Sequence, residues 1–543
     1  MTSLDHRLQA ALDKHSKGDA ATAATLYRAV LADDPQQPDA LHMLGVIAQQ
    51  AGNPNLALKL IEAALATKPD LALAWHNRCL VLRTLGRREE ALLSAREALS
   101  TDPGLAEAWD MMGSILREQR HFAEASKCLE RAIALRPQDP NIRTSCVVLL
   151  TACGRHEEAW KLVSNAPLDT SVAGLAAIGN LLKSAGHPLR AVPWFDRALK
   201  AKHDFHGARL NKSMALLQAG NMENGWRLWE DRRIEEGREA LPAAQWRGER
   251  VEHLLLREEQ GLGDALQCVR YIPFVQQRVG KITLQLSSPL QKLLAQNLPG
   301  VTVLTLEDGA PKADAASQLM SLPFIFGTRL DTIPGASPYL KADKTWRAPW
   351  QARLSRLPRP RIGLVWGGNP GNRHNYSRAL NFAQLAPLIE LGPAHFVSLQ
   401  KGPQVDAKEV ETSGVFDASP YLEDFAATAG LMAELDLVIT VCTSPAHLAG
   451  AMGCPTFLLL CFDPHWLWLL GREDTPWYQA SRLFRQPAPG DWDGVIKTVV
   501  DEVKKFIQGD RAVIDPPRWR GPALTCNPLA LDLPALPGED KIT

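Results

Sequence analysis

At about 150 residues per domain, a chain of 543 residues predicts three or four domains. Lys and Arg number 60, as do Asp and Glu, so the formal net charge of zero argues against a dominant role in binding nucleic acid or a membrane surface. The nine cysteines form no CxxC pair, which indicates neither a disulfide framework nor a zinc site and favours a reducing compartment. The N-terminus has no apolar core of the signal-peptide type, and no long apolar window occurs elsewhere, so we expect a cytoplasmic protein without an integral membrane segment.

The first part of the chain carries a repeat of 34 residues. Prolines at positions 35, 69, 103 and 137 keep this spacing, as do alanines at 23, 57, 91 and 125. Glycines at 18, 52 and 86 keep it as well, and Arg120 stands at the fourth position. The period predicts stacked helix pairs, in which small alanines let two helices approach, glycine breaks the first helix and proline ends the second.

This pattern resembles the tetratricopeptide repeat, most clearly over residues 41–70 and 108–137. Degenerate copies continue past residue 140, so we predict six or seven copies across residues 3–235 and a first domain over 1–240. The resemblance implies a superhelix whose groove binds a peptide or protein. The alternative is a scaffold or dimerisation arm without a peptide ligand.

The C-terminal half shows short apolar runs separated by helical stretches. The candidate strands are 253–257, 282–287, 301–306, 361–366, 395–400, 415–419, 436–441 and 456–461. Strands that alternate with helices predict parallel sheets. Two such series on either side of a linker at 337–360 predict two doubly wound domains, over 250–345 and 358–510. A Pro-rich tail without periodicity, 511–543, is expected to be extended or disordered.

Ligands of open α/β sheets bind outside the carboxyl ends of the strands, so we expect a site in the cleft between the two domains. The first domain offers a strand that runs into Gly261, Gly263 and Asp264 at the start of a helix. The glycines permit unusual backbone angles and close approach of a ligand, and the helix N-terminus favours an anion. Asp264 then lies at the mouth of the cleft. Its alternative role is that of a helix N-cap.

The second domain offers two further loops. Residues 365–382 form a Gly- and Asn-rich loop with the basic side chains Arg373, His374 and Arg378. The buried strand at 436–441 leads into a polar turn, Thr443-Ser444, at the start of a helix that holds His447. Hydroxyls and free N–H groups at such a turn suit a phosphate. The alternative for this turn is ordinary helix capping.

Residues 250–505 resemble the glycosyltransferase family 9 or heptosyltransferase-like domain, of GT-B fold. With the repeats included, the chain is similar to bacterial proteins that join tetratricopeptide repeats to such a domain. Five segments carry this resemblance: EQGLGDALQCVRYIPFV, RIGLVWGGNPGNR, FVSLQKG, LDLVITVCTSPAHLAGAMGCPTFLLL and WLWLLGREDTPWYQASRLFRQPAPGDWDGVI. The fold class expected from it is a helical repeat superhelix followed by a GT-B-like pair of doubly wound, Rossmann-like domains.

The resemblance implies transfer of a sugar from a nucleotide-sugar donor, with Asp264 as the general base that takes the proton of an acceptor hydroxyl. Its diphosphate leaving group needs positive or hydrogen-bonding partners. The family positions in that role map to Asn369, Arg378, Thr443, Ser444 and His447. Enzymes of this fold generally need no metal, and no cofactor beyond the nucleotide-sugar donor is implied.

Two departures from the family pattern bear on activity. The family commonly reads Asp-Thr-x-x-x-His where this chain has Cys442 before Thr443 and His447. Relatives also carry Arg-Ser-Ile-Pro where this chain has Arg378 followed by Ala-Leu-Asn. Cys442 is interpreted either as a reactive thiol near a helix N-terminus or as a small buried residue at a strand end.

Three functional hypotheses follow. The first is a glycosyltransferase acting on a protein recruited by the repeat groove, such as flagellin or another surface protein. The second is a transferase of the same chemistry acting on lipopolysaccharide or another glycan precursor, with the repeats serving assembly. The third is a non-catalytic interaction protein whose transferase domain has decayed.

Four tryptophans lie close together in the sequence near its C-terminal part. They allow either stacking on a base or sugar or buried packing: Trp466, Trp468, Trp477 and Trp492.

Overall fold

The computed structural model describes residues 3–165, 167, 169–235, 241–335, 338–372, 375–402, 407–536 and 539. The chain divides into two compact units, Met1–Leu181 and Leu182–Thr543. The described part of the first unit is helical. The second unit holds the last repeat helices, two parallel sheets and the C-terminal tail. Within the described ranges, every helix is too short or too polar to cross a membrane.

Fourteen helices follow one another over the described residues from 3 to 229, as seven successive pairs along the chain, which agrees with the predicted six or seven copies. They are α1 Ser3–Ser16, α2 Ala20–Asp33, α3 Pro38–Gln50, α4 Pro54–Thr67, α5 Ala72–Thr84, α6 Arg88–Thr101, α7 Ala106–Glu118, α8 Phe122–Leu135, α9 Pro140–Ala152, α10 His156–Ser164, α11 Val172–Ser184, α12 Pro188–Ala201, α13 His206–Gln218 and α14 Met222–Trp229. A short helix, α15 Arg232–Glu235, follows them.

The small residues of the repeat lie where the two helices of a pair touch. A Cβ on Gly45 would lie 2.6 Å from Cγ1 of Ile61, so only glycine allows α3 and α4 to approach this closely. The periodic alanines are fully buried at Ala23, Ala57, Ala91 and Ala125. The predicted role of small side chains in helix approach is therefore confirmed.

The turn between the helices of a pair needs a left-handed residue. Gly18, Gly52 and Gly86 have φ of 81°, 76° and 77°, and Arg120 takes the same conformation with φ 66°. Glycine adopts this region without steric penalty, whereas arginine does not. Each periodic proline lies two residues after the end of the second helix, so the predicted turn and stop signals are both confirmed.

One hydrogen bond recurs at the same position in four copies. A side chain near the start of the first helix donates to the backbone carbonyl six residues earlier. The bonds run from Trp75 Nε1 to Pro69 O (2.8 Å), Trp109 Nε1 to Pro103 O (2.9 Å), Arg143 Nη1 to Pro137 O (3.2 Å) and Arg209 Nη2 to His203 O (2.7 Å). Arg209 therefore keeps the repeat geometry in α13, where the sequence period has loosened.

The first sheet has five parallel strands: β1 Ala244–Gln245, β2 Val251–Arg257, β3 Val279–Leu286, β4 Val301–Thr305 and β5 Ala315–Gln318. Its helices are α16 Leu262–Cys268, α17 Ile272–Gln276, α18 Ser288–Asn297 and α19 Leu322–Ile325. The strand order is β1-β5-β2-β3-β4, so the direction of winding reverses between β2 and β5. The three predicted strands are confirmed, and β1 and β5 are additional.

The second sheet has six parallel strands: β6 Arg361–Val365, β7 His395–Ser398, β8 Phe416–Asp417, β9 Leu437–Val441, β10 Thr456–Leu460 and β11 Ser481–Arg485. The helices of this part are α20 Lys344–Arg353, α21 Asn375–Arg378, α22 Ala386–Ile389, α23 Ala407–Thr412, α24 Phe425–Met432, α25 Ser444–Met452 and α26 Trp492–Ile507. The order β11-β10-β9-β6-β7-β8 places the reversal between β6 and β9. The predicted pair of parallel α/β sheets is thus confirmed, with β11 missed.

The segment expected as a linker contains α20, which packs on α24 of the second sheet. Trp350 is buried there, and its Nε1 donates to the carbonyl of Ala427 at 2.8 Å. Burial of Trp346 and Trp350 explains why this stretch is ordered helix and not a free connection.

The central strands of the second sheet are buried on both faces. In β10, Phe457 and Leu459 face one apolar cluster, and Leu458 and Leu460 face another. The alternation follows from the two-residue period of a strand, and burial of both faces is typical of parallel sheets. The larger cluster is continuous from Trp226 of α14 through the first sheet into the second.

The tail from residue 515 to 536 forms turns and irregular structure and packs on the last repeat helices. The N–H of Asn527 donates to Gly186 O at 2.9 Å, and that of Leu531 donates to Ala185 O at 3.2 Å. Arg190 pairs with Glu539 at 2.7 Å. The predicted tail thus begins with a 3-10 helix at Arg511–Ile514 and continues as turns and irregular structure, which these backbone bonds hold in place.

Candidate active site at the carboxyl edges of the two sheets

The loop after β2 positions the first group of predicted residues. Gly261 is the N-cap of α16 with an extended φ of −120°, and Asp264 lies in the first turn of that helix. Oδ2 of Asp264 accepts the N–H of Gly261 at 3.0 Å. The carboxylate thus caps the helix at its third position, while Gly261 occupies the N-cap position that the alternative interpretation gave to Asp264.

The expected role of the two glycines needs correction. Neither adopts a left-handed conformation; the residue that does is Gln260, with φ 62°. Gly263 is required for a different reason, because a Cβ there would lie 2.7 Å from Cδ2 of His447. It therefore permits helix α16 of the first sheet to touch helix α25 of the second, and this contact brings the two carboxyl edges together.

The loop after β6 holds Arg378 close to the second helix. The N–H of Gly368 donates to Oδ1 of Asn375 at 2.9 Å, which fixes the loop. A Cβ on Gly368 would lie 2.9 Å from Nη2 of Arg378 and 3.0 Å from Cγ2 of Thr443. Arg378 Nε is buried and has no hydrogen-bond partner among the described residues.

Asn369 lies apart from this group. Its side chain is exposed, and Oδ1 accepts the N–H of Gly371 at 2.9 Å within its own turn. Arg373 and His374 of the same loop lie outside the described residues. Of the predicted residues in this loop, the structure thus brings only Arg378 against Thr443.

The loop after β9 begins helix α25. Thr443 is the N-cap but makes no side-chain capping bond; its Oγ1 donates to Val441 O at 3.3 Å. Ser444 is the first residue of the helix. In this first turn Pro445 has no N–H, and the N–H of Ala446 donates to Thr443 O at 3.0 Å, so the N–H of Ser444 is the group that the turn offers to an anion beside Arg378.

His447 is buried in the second turn of α25. Its Nδ1 lies 2.8 Å from the hydroxyl of Tyr478. Burial lowers the pKa of His447 to about 3, and the nearby charges of Arg270 and Arg378 act in the same direction. His447 is therefore a neutral hydrogen-bonding group at physiological pH and does not supply a positive charge.

The thiol of Cys442 lies at the end of β9, and charges from both sheets influence its pKa. Its Sγ accepts a bond from Nε1 of Trp468 at 3.1 Å. Burial raises the pKa of the thiol; Arg378 lowers it and Asp264 raises it further. The net rise favours the interpretation of Cys442 as a small uncharged residue at the strand end, where its side chain is partly buried.

Several residues of the site were not predicted from sequence. Oε1 of Gln400 accepts the N–H groups of Trp366 at 3.0 Å and Gly367 at 2.8 Å, and so shapes the loop after β6. The guanidinium of Arg270 lies 5.0 Å from the ring of Tyr478, beneath His447. An arginine inside the apolar run CVRYIPFV was the available signal for Arg270. Trp466, Trp468, Trp477 and Trp492 are all buried, which confirms packing as their role.

No group of three or more His, Cys, Asp or Glu side chains suited to a metal ion occurs in the part of the chain that the structure describes. The polar groups at the carboxyl edges lie on three loops, those after β6 and β9 of the second sheet and that after β2 of the first. The reversal points of open α/β sheets are where ligands bind, and Arg378, Thr443 and Ser444 lie at the reversal between β6 and β9.

Comparison with known proteins identifies the repeats. Two tetratricopeptide-repeat models match, over residues 15–77 and 106–139. Protein FlbA of Caulobacter vibrioides is 25% identical over 449 residues, which cover 68% of this chain and 74% of that protein.

Solved structures resemble part of the chain. A tetratricopeptide repeat protein from Parabacteroides merdae is 19% identical and has a TM-score of 0.35, with 44% of this chain and 94% of that one covered. MamA is 22% identical with a TM-score of 0.26, over 30% of this chain and 91% of that one. From the family models and the helix pairs together, the N-terminal part of this chain is a tetratricopeptide-repeat superhelix, followed by an α/β region with two parallel sheets.

Proposed function

We propose that the α/β region is a GT-B glycosyltransferase that moves a sugar from a nucleotide-sugar donor to a hydroxyl group of a protein, in the cytoplasm. The observation that carries this proposal is the contact of α16 with α25 at Gly263 and His447. It brings the first turn of α16, which holds Asp264, against α25, whose N-cap residue Thr443 lies beside Arg378.

In the proposed reaction, Asp264 takes the proton from the acceptor hydroxyl as the oxygen attacks the anomeric carbon. The bond from that carbon to the diphosphate oxygen breaks, and the nucleoside diphosphate leaves. Arg378 and the N–H of Ser444, in the first turn of α25, stabilise the charge that develops on the leaving group. His447 contributes a neutral hydrogen bond, since its pKa is far below 7.

The acceptor in this proposal is a protein recruited by the repeat groove, such as flagellin or another surface protein. Tetratricopeptide repeats at residues 15–77 and 106–139 support a protein partner. If the acceptor is instead a lipopolysaccharide or other glycan precursor, a deletion strain will have an altered envelope glycan and unmodified proteins. A protein acceptor will show a sugar mass increment on a co-purified partner.

The test begins with thermal-shift measurements against nucleotides and nucleotide sugars. A ligand at ~100 times its dissociation constant stabilises the folded protein by about 2.7 kcal/mol. Arg378→Ala is expected to abolish this shift. Asp264→Asn is expected to keep it and to lose at least about 100-fold in transfer rate, the scale of a general base.

Arg359→Ala is the matched control for Arg378→Ala, because Arg359 pairs with Asp436 beside the start of β6, at the opposite edge of the same sheet. Its nucleotide shift should equal that of the wild type. A folded wild-type protein that no nucleotide or nucleotide sugar stabilises would contradict the proposal.

One observation favours a second candidate, a non-catalytic repeat scaffold. Cys442 stands where the resembling family carries a carboxylate, and burial keeps its thiol uncharged. In that case the protein will bind its partner through the repeats, and Asp264→Asn will leave partner binding unchanged.

A further inference from the structure

A buried ion pair joins the last repeat helices to the loop that carries Asp264. Arg232 of α15 and Glu259, which follows β2, have side-chain exposures of 0% and 1%. Nη2 of Arg232 lies 2.5 Å from Oε1 of Glu259, and Nε lies 3.2 Å from Oε2. The pair is bidentate, so it fixes orientation as well as distance.

The pair lies at the reversal point of the first sheet. Oε1 of Glu259 also accepts the N–H of Met320 at 3.2 Å, just after β5. Arg232 donates further to Ser321 Oγ at 2.9 Å and to Glu230 Oε1 at 2.8 Å. Burial opposes the charge of Arg232, but attraction to Glu259 and Glu230 outweighs it and raises its pKa. The pair therefore stays ionised, and it occupies the crevice between β2 and β5.

Glu259 immediately precedes the strained part of the loop. Gln260 has φ 62°, a region that non-glycine residues enter only when their surroundings hold them there. Asp264 follows four residues later and is tied back to Gly261. A fixed Glu259 side chain therefore determines how the Gly261–Asp264 loop leaves β2.

The same repeat helices also contact a carboxyl-edge loop of the second sheet. Lys183 of α11 pairs with Asp463 at 2.8 Å, and Gln218 of α13 donates to Asp463 at 3.2 Å. The ring of Trp226 lies edge-on to Trp466 at 5.0 Å. Helices α11, α13 and α14 thus contact the loop after β10, and α15, which follows the repeats, contacts the loop after β2.

We infer that Arg232 is a positioning residue that, through Glu259, sets the place of Asp264 and hence the rate of sugar transfer without changing donor binding. This inference rests on the proposed transferase function. It makes the final repeat a part of the catalytic half of the molecule, so that α14 and α15 position the base while the repeats before them recruit the partner.

The test compares Arg232→Met and Arg232→Lys with Arg209→Met, a control from α13 that likewise loses a pair with a carboxylate, here Asp231, and a bond to a backbone carbonyl. Hydrogen exchange is followed on peptides spanning 254–268. Arg232→Met is expected to speed amide exchange of residues 260–264 at least tenfold, and Arg209→Met to leave it unchanged. Lysine keeps the positive charge but cannot make the bidentate pair. The amide exchange rate in Arg232→Lys should therefore lie between those of Arg232→Met and Arg209→Met.

Kinetics provide the second measurement. Misplacing a catalytic group by about 1 Å lowers rate by up to about 100-fold, so Arg232→Met should lower kcat by about 10- to 100-fold and change donor KM less than twofold. Arg209→Met should leave kcat near that of the wild type. Equal losses of kcat in both variants, or unchanged exchange in a folded Arg232→Met protein, would overturn the inference.

Two further outcomes, a variant that does not fold and a wild type that transfers no sugar, can be distinguished from failure of the inference. If Arg232→Met does not fold because the buried charge of Glu259 has lost the compensating charge of Arg232, the double variant Arg232→Met/Glu259→Gln removes both charges. Fast loop exchange is then expected, and wild-type exchange overturns the inference. If the wild type transfers no sugar, the proposed function fails, whereas hydrogen exchange still decides whether Arg232 holds the loop.

Discussion

The regular repeats are held by contacts that recur along the chain, whereas the second unit is held mostly by individual contacts. In residues 3–165 the same contact recurs every 34 residues, as between Trp75 and Pro69 and between Trp109 and Pro103. From residue 182 onward one copy of this bond remains, from Arg209 to His203, and the other contacts between elements are individual, as between Trp226 and Thr328. A repeat can therefore lose one contact and keep its neighbours, whereas the second unit depends on single buried groups.

The largest expected difference concerns two tryptophans. Trp226→Ala removes a side chain that is 1% exposed and donates to Thr328 O at 2.9 Å, so it should destabilise the second unit by about 3–5 kcal/mol. Trp109→Ala removes a half-buried ring with one bond and should lower the stability of the first unit by about 1 kcal/mol. Urea denaturation followed by hydrogen exchange separates the two units. Equal losses of stability in the two variants would contradict the expected difference between the repeats and the second unit.

A smaller effect depends on pH. The folded-state pKa of His447 is about 3 against an ordinary 6.5, so below pH 6.5 the unfolded chain binds the proton and the folded protein does not. The free energy that neutral, buried His447 contributes to the stability of the second unit is complete above pH 6.5. Below that pH it falls by about 1.4 kcal/mol for each pH unit. From pH 6.5 to 5 the loss should reach about 2 kcal/mol. His447→Gln should remove that slope in denaturation curves.

Tyr478→Phe is the control for this slope. It removes the hydrogen bond to Nδ1 of His447 but leaves the buried imidazole in place. The slope should persist in this variant, because desolvation and not the hydroxyl is the main cause of the lowered pKa. A slope lost equally in both variants would assign the pH response to another group.

The smallest expected effect is a gain in the first unit. Arg120 takes the left-handed position that glycine holds in three other copies. Arg120→Gly should stabilise the repeats by up to about 1 kcal/mol, since the side chain no longer opposes that conformation. Gly86→Ala should have the reverse sign, because no atom lies near its Cβ position and only φ is unfavourable. Melting temperatures of the two variants decide this.

Much of the architecture could be predicted because its signals are local. The helix pairs follow from period and turn residues, and the confirmed strands are rich in Val, Ile and Leu. Strand β5, AASQ, was missed because its small side chains have low strand propensity and its place beside β2 is set by packing alone. Strand β11, SRLFR, was missed because its charges resemble a surface loop.

The site was predictable only in part. Gly263, Asp264, Arg378, Thr443 and His447 could be chosen from motifs, and the structure gathers them at facing carboxyl edges. The partner of His447, Tyr478, is 31 residues away, and that of Glu259, Arg232, is 27 residues away. Such pairs depend on tertiary packing, which sequence spacing does not encode. The left-handed turn at Gln260 was missed because the neighbouring glycines were the expected carriers.

The docking of the tail on α11 and α12 also constrains the order of folding during synthesis. Ala185 and Gly186 receive their backbone partners from Leu531 and Asn527, which the ribosome adds more than 300 residues later. The regular repeats need only neighbours and can fold as they emerge. The surface at Ala185 and Gly186 remains uncovered until residues 527–531 have been made, so a chaperone can bind there during that interval.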